Sequence, residues 1–224
     1  MKTTGKYISP TWSIIIALLC LNVITGACKK AKPTPAQPVV IITTSDSAKK
    51  ILFVGNSLTY YNDLPNLVTR VGKDSGVEIK AEMIAYPNYA LEDHWNDGTI
   101  QTLIANKKYD FVVVQQGPSS QADGRAMLLD YGARIKNICI PHNTKLAFFM
   151  VWPAFANFST FDGVIKNYGD AAVATNSLLC PVGQVWKDHF QATGDHYYYG
   201  PDMFHPSPKG SESAALIIFK TLFK

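Results

Sequence analysis

The sequence predicts an α/β fold: a three-layer α/β/α sandwich around a central, mostly parallel five-stranded sheet. Three observations lead there. From residue 50 onward, short apolar runs alternate with longer amphipathic ones, the pattern of strands joined by crossover helices. The short runs are nearly continuous in apolar residues, as expected of strands buried on both faces. At 47% hydrophobic and 17% charged residues over 224 positions, the chain can build one ordinary globular domain. That composition excludes disorder, and no short repeat suggests a collagen-like or solenoid architecture.

The elements follow in order along the chain. The first strand is Ile51 to Val54, and a helix over 64–74 leads to a second strand at Val77 to Ile84. A helix over 91–106 precedes the third strand, Phe111 to Gln115, and a helix over 122–139 precedes the fourth, Leu146 to Val151. A helix over 161–176 leads to the fifth strand, Leu178 to Val182. Ser207 and Pro208 read as the N-cap and first residue of a last helix reaching Phe223, because serine caps the free N–H groups and proline has none to lose. In such a sheet, function belongs at the C-terminal ends of the strands.

The first 49 residues are of another kind. Lys2 and Lys6 make a basic start, and the apolar run Ile14 to Leu21 continues weakly to Ile24 before Gly26 and Ala27. This is the layout of an export signal, and it is about half the roughly 20 apolar residues of a membrane span. Ile24-Thr25-Gly26-Ala27-Cys28 resembles a bacterial lipobox, although Thr25 stands where leucine is usual. The resemblance implies cleavage before Cys28 and lipidation of its thiol. The expected division is a signal peptide over 1–27, a Pro-, Thr- and Lys-rich tether over 28–49 and a globular domain over 50–224. The Val and Ile run at 39–42 could instead form a short edge strand. The expected location is the bacterial cell envelope, anchored by lipid, with the outer membrane favoured.

Charge and cysteine content narrow the partners. The 21 Lys and Arg against 17 Asp and Glu leave only a small positive excess, and no basic cluster is longer than a pair, so nucleic acid is not an expected partner. With Cys20 in the signal and Cys28 lipidated, Cys139 and Cys180 remain, either bridged or separately buried. His94, His142, His189 and His196 have no second ligand at zinc-like spacing, Asp93-His94 being the nearest approach. Gly55 lacks the further glycines and the lysine of a phosphate loop. Neither a metal nor another cofactor is implied.

The first strand runs straight into Gly55-Asn56-Ser57-Leu58-Thr59, which would present a serine hydroxyl on a tight turn at the sheet edge. A nucleophilic serine needs a base and an acid that orients it. Asp202-Met203-Phe204-His205-Pro206 supplies both on one loop. Strand, Gly-Asn-Ser-Leu, further strands, then Asp-x-x-His-Pro and a C-terminal helix resemble the SGNH or GDSL-like hydrolases, whose fold is flavodoxin-like, over residues 50–224. Pro181-Val182-Gly183-Gln184-Val185-Trp186 and His205-Pro206-Ser207-Pro208-x-Gly210 look like a carbohydrate-associated branch of that family.

The resemblance implies an ester hydrolase with Ser57, His205 and Asp202 as its triad. It also implies an oxyanion hole made of the Ser57 N–H, a glycine N–H and an amide side chain. Here the sequence departs from the family. Tyr86-Pro87-Asn88-Tyr89-Ala90-Leu91 has no glycine, and Asn88, which tolerates a left-handed backbone, is the expected substitute. The usual Gly-x-Asn-Asp is replaced by Gln115-Gln116-Gly117-Pro118-Ser119-Ser120. A glutamine amide can donate in place of asparagine. Gln116 is chosen over Gln115 with little to separate them, and Ser119 is a weaker candidate. Of the aromatic residues expected near the rim, Tyr60, Trp152 and one of Tyr197 to Tyr199, Tyr199 foremost, are assigned to substrate. The expected function is removal of short acyl groups, acetyl first, from carbohydrate. Hydrolysis of lipid or small-molecule esters is the alternative within the same chemistry. A glycan-binding lipoprotein that has lost turnover is the alternative outside it.

Overall fold

The structure, a computed structural model, describes residues 47–224. The expected signal peptide, Cys28, the 39–42 run and nearly all of the tether lie outside the described residues. Five strands, β1 (Lys49–Gly55), β2 (Ile79–Ala85), β3 (Phe111–Val114), β4 (Lys145–Phe149) and β5 (Leu178–Cys180), form one sheet in the order β2-β1-β3-β4-β5. Every pairing is parallel, with Val54 opposite Ile84 and Val114 at the C-terminal end. Leu52, Phe53, Val54, Val112 and Val114 are fully buried, which is why these strands show no polar alternation.

Helices α1 (Ser57–Tyr60) and α2 (Leu64–Asp74) connect β1 to β2. Helices α3 (Leu91–Asp97) and α4 (Thr99–Asn106) connect β2 to β3, and α5 (Ala122–Cys139) and α6 (Phe161–Ala174) make the next two crossovers. Helices α7 (Val182–Thr193) and α8 (Pro208–Phe223) follow β5. The first crossover runs to one side of β1 and the later ones to the other. Right-handed connections therefore put α2 on one face of the sheet and α3 to α6 on the opposite face. Helix α8 packs against α2. The winding reverses at β1 and β3, and a crevice opens beyond the C-terminal ends of those two strands.

Two expectations need correction. The helix expected over 91–106 is two helices, because Gly98 takes a left-handed backbone at φ 73° and ends α3. The strand expected to reach Val182 stops at Cys180, and a helix not anticipated from the sequence begins at Val182. Its buried residues Val182, Trp186 and Phe190 recur every four positions, a helical stripe that the preceding apolar strand obscures. Cys139 and Cys180 are free and buried, and burial pushes both thiols up to about 12. Among the described residues no helix is long and apolar enough to cross a membrane.

Candidate active site

Ser57 stands where β1 gives way to α1. The turn requires glycine before it: a Cβ on Gly55 would lie 2.3 Å from Thr59 Oγ1 and 2.5 Å from Gln115 Oε1. Asn56 caps α1, its Oδ1 accepting from Leu58 N at 3.1 Å, while its Nδ2 donates to Tyr89 O at 2.9 Å and ties the turn to the loop after β2. Beneath the turn Gln115, 1% exposed, makes four hydrogen bonds. Its Oε1 accepts from Asn56 N at 2.9 Å and Thr59 Oγ1 at 2.8 Å. Its Nε2 donates to Asn56 Oδ1 at 3.0 Å and Gln116 O at 2.5 Å.

From the other side His94, buried on α3, donates from Nε2 to Gly55 O at 2.7 Å. Burial holds its imidazole below the ordinary histidine value, which keeps the ring neutral. Neither support was assigned from the sequence. The sequence offers Gln115 as an oxyanion donor or as a polar residue closing a strand, and His94 as a histidine with no second ligand at zinc-like spacing. The spacing of Leu91 and His94, three apart on a buried helix face, is the signal that could have placed His94 inward.

The loop after α7 brings the acid and base to this turn. Gly200 N donates to His205 O at 2.7 Å, Met203 N donates to Gly200 O at 3.0 Å, and Tyr199 bridges Pro206. Met203 takes a left-handed backbone at φ 55°, which helps fold the segment back on itself. Phe204 N and His205 N donate to Asp202 Oδ1 at 3.0 and 2.9 Å. Asp202 Oδ2 lies 2.5 Å from His205 Nδ1. The hydrogen bond from His205 holds the Asp202 carboxyl below the usual carboxylate range. On the far side of the ring, His205 Nε2 lies 2.9 Å from Ser57 Oγ. With Nδ1–H donating to the carboxylate, Nε2 is free to accept the serine proton, an arrangement suited to nucleophilic attack by Ser57.

Trp152 and Tyr199, assigned to substrate from the sequence, are core residues. Trp152 is 0% and Tyr199 5% exposed. Trp152 stacks on Trp186 at 3.6 Å and donates from Nε1 to Phe204 O at 2.9 Å. Tyr199 stacks on Phe190 and donates its hydroxyl to Pro153 O at 2.8 Å. Their large apolar area is worth more in the core than at a wet rim, and they hold the acid–base loop from below. Gly210 belongs to the same support, since a Cβ there would lie 2.2 Å from Tyr198 O and 2.8 Å from Trp186. Tyr60 is half-buried and lines neither the cleft at Ser57 nor the one next to it.

The first of those clefts has a volume of about 420 Å³ and brings together Ser57, Asn88 and Gln116 with Ser119, Met127 and Phe204. Asn88 sits at φ 63°. Pro87 and Asn88 occupy the central positions of a turn closed by Tyr89 N donating to Tyr86 O at 3.3 Å, and a type II turn calls for a positive φ at the second of them. Gln116 lines the cleft, but its Nε2 donates to Ser119 Oγ at 2.7 Å and Gly124 O at 3.1 Å. Both amide hydrogens are therefore engaged within the protein. A second cleft of about 490 Å³ shares Pro118, Ser120, Gln121 and Phe204 with the first and adds Asn157 and Thr160. Phe204, on the wall between the two clefts, was not singled out from the sequence despite its place between Asp202 and His205. Among the described residues no group of three or more His, Cys, Asp or Glu could hold a metal ion.

No protein-family model matches the sequence, and no curated protein matches it significantly. Solved structures do. A protein from Slackia heliotrinireducens classed as an SGNH hydrolase aligns over 78% of this chain and 99% of its own, at 25% identity and a TM-score of 0.65. A lipase/acylhydrolase from Enterococcus faecalis aligns over 77% and 94%, at 19% identity and a TM-score of 0.63. A variant of an acetyl xylan esterase from Geobacillus stearothermophilus aligns over 79% and 95%, at 16% identity and a TM-score of 0.58. The last two speak for the fold alone. The likeness extends over nearly the full length of those chains, and the Slackia match supports an SGNH-type hydrolase fold for this chain.

Proposed function

We propose that this chain is a serine esterase that removes short acyl groups, acetyl foremost, from carbohydrate. The observation that carries the reading is the hydrogen-bonded row Ser57–His205–Asp202, with Ser57 on the wall of a cleft. Ser57 Oγ attacks the ester carbonyl as His205 Nε2 takes its proton. Asp202 holds the Nδ1–H tautomer and offsets the charge on the ring. His205 then returns the proton to the leaving alcohol, and water activated by the same nitrogen releases the acid from acyl-Ser57. The oxyanion is met by the Ser57 N–H, by a backbone N–H near Asn88 and by Gln116. Gln116 contributes by keeping its bond to Gly124 O and turning the other hydrogen from Ser119 Oγ to the substrate.

The clefts support the sugar side of the reading. Gln121, Asn157, Ser120 and Thr160 line the second cleft with amides and hydroxyls, while Pro118, Pro153 and Phe204 offer flat apolar faces. That combination suits a saccharide better than a long acyl chain, which needs a continuous apolar groove. The Geobacillus neighbour is an acetyl xylan esterase. The engagement of both Gln116 amide hydrogens favours the second reading, a binding protein on the same fold. Turnover separates the two. The esterase releases acetate from chromogenic acetate and from acetylated oligosaccharides, and Ser57→Ala or His205→Ala lowers the rate by at least about 10³ with little change in melting temperature. Full activity in Ser57→Ala would overturn the mechanism. Retention of glycan without acid release would favour the binding protein.

We further propose export and lipid anchoring through Cys28, from the Ile24–Cys28 context. Labelled palmitate should enter the wild-type protein and be absent from Cys28→Ala. Unlabelled protein free in the periplasm would defeat the proposal.

A further inference from the structure

We propose that Tyr61 and Asn62 are positioning residues that clamp the His205 loop onto the nucleophile turn, an inference that rests on the hydrolase reading. The two halves of the site come from opposite ends of the domain and must meet with sub-ångström tolerance. Asn62 Nδ2 donates to Pro206 O at 3.0 Å and to Ser211 Oγ at 3.0 Å. One amide thus joins the segment after Ser57 to the residue after His205 and to α8. Beside it the Tyr61 ring lies on the His205 imidazole, centroids 4.5 Å apart and planes at 16°. Tyr61 is 39% exposed, so burial alone does not account for its position.

The backbone is shaped to make these contacts. Asn62 and Asp63 are both left-handed, each at φ 53°, a conformation costly for residues with a Cβ and least so for Asn and Asp. Two in succession turn the chain sharply between α1 and α2 and carry the Tyr61 ring and the Asn62 amide to the same loop. The His205 Nε2–Ser57 Oγ bond cannot serve as the fixture, because it is broken and remade at every turnover. Asn62 and Tyr61 hold the loop at groups that do not react. The Tyr61 ring also restricts rotation of the imidazole and offers its π face to the cationic ring formed when the serine proton is taken. The groups facing His205 are the Asp202 carboxylate, the Ser57 hydroxyl, the Tyr61 ring and, tilted at 5.0 Å, the Phe204 ring.

The test measures kcat and KM on p-nitrophenyl acetate, together with the rate at which a fluorophosphonate captures Ser57. Tyr61→Phe, which keeps the ring face, should stay near wild type, while Tyr61→Leu should lower kcat about five-fold with little change in KM. Asn62→Asp keeps the tolerance for a left-handed backbone but sets a carboxylate against the Pro206 carbonyl, which cannot donate, and should lower kcat about a hundredfold. In a His205→Ala background, Tyr61→Leu should slow capture no further, since Tyr61 acts through that ring. A purely structural residue would go on costing rate there. If Asn62→Asp does not fold, Ser211→Ala removes one of the two acceptors and should still lower kcat several-fold. Folded Tyr61→Leu and Asn62→Asp proteins with wild-type kcat would overturn the clamp. So would a Tyr61→Leu effect of equal size with and without His205. A wild type inert to both reagents would overturn the hydrolase reading and the clamp with it.

Discussion

Gln115 and Gln116 are adjacent and chemically identical, yet the structure gives them different work, and replacing Gln115 by leucine shows the difference. The side chain is 1% exposed, so water cannot take over its four hydrogen bonds to Asn56 N, Asn56 Oδ1, Thr59 Oγ1 and Gln116 O. At about 1 kcal/mol for each bond, Gln115→Leu should cost about 4 kcal/mol. Asn56 Oδ1 still accepts from Leu58 N, so it is not wholly orphaned, and the leucine recovers some apolar contact. For a domain of this size about 2–4 °C is lost per kcal/mol, so melting should fall by about 8–16 °C. Differential scanning calorimetry of the full chain reads that shift, and ester turnover of the folded fraction should fall as well because the Ser57 turn loses its floor. A shift below about 3 °C would refute the reasoning. It would mean that the Asn56 cap and the Tyr89 tie hold the turn without Gln115.

The neighbouring residue should behave in the opposite way. Gln116→Ala should lower kcat by about a hundredfold or more with little change in KM, because an oxyanion donor acts only as charge develops. Steady-state kinetics beside a melting curve checks it, and a wild-type kcat would leave Gln116 as a packing residue bound to Ser119 and Gly124. Trp152→Ala should cost about 3–5 kcal/mol from the lost stack on Trp186, seen as a lowered denaturation midpoint. A raised KM with unchanged stability would instead restore the substrate role expected from the sequence. His94 is held neutral by burial, so the unfolded chain binds more protons than the native one in acid. Its contribution should be intact above about 6.5 and lost as pH falls from there through the depressed native value. His94→Gln keeps a donor that does not titrate, and its urea midpoint should decline less between neutral and mildly acidic pH. Parallel declines would show that the native ring is not held neutral.

The sequence by itself determined the sheet, most of its helices and the three groups that meet at its edge, because each is written in local chemistry. Apolar runs mark β1 to β4. The Gly-Asn-Ser turn after β1 and the Asp-x-x-His-Pro loop before α8 fix which side chains can reach the strand ends. The left-handed Asn88 was legible for the same reason, since Pro-Asn is a turn signal that needs no distant partner. What the sequence could not decide was every choice that depends on which surface lies opposite. Trp152 and Tyr199 look like rim aromatics until Trp186 and Phe190 of an unanticipated helix close over them. Gln115 and Gln116 have equal amides until Asn56, Thr59, Ser119 and Gly124 arrive from other segments and claim them. His94 is a lone histidine until Gly55 O lies 2.7 Å from its ring. Burial and hydrogen-bond pairing are properties of two segments at once, and only the tertiary structure decides which segments those are.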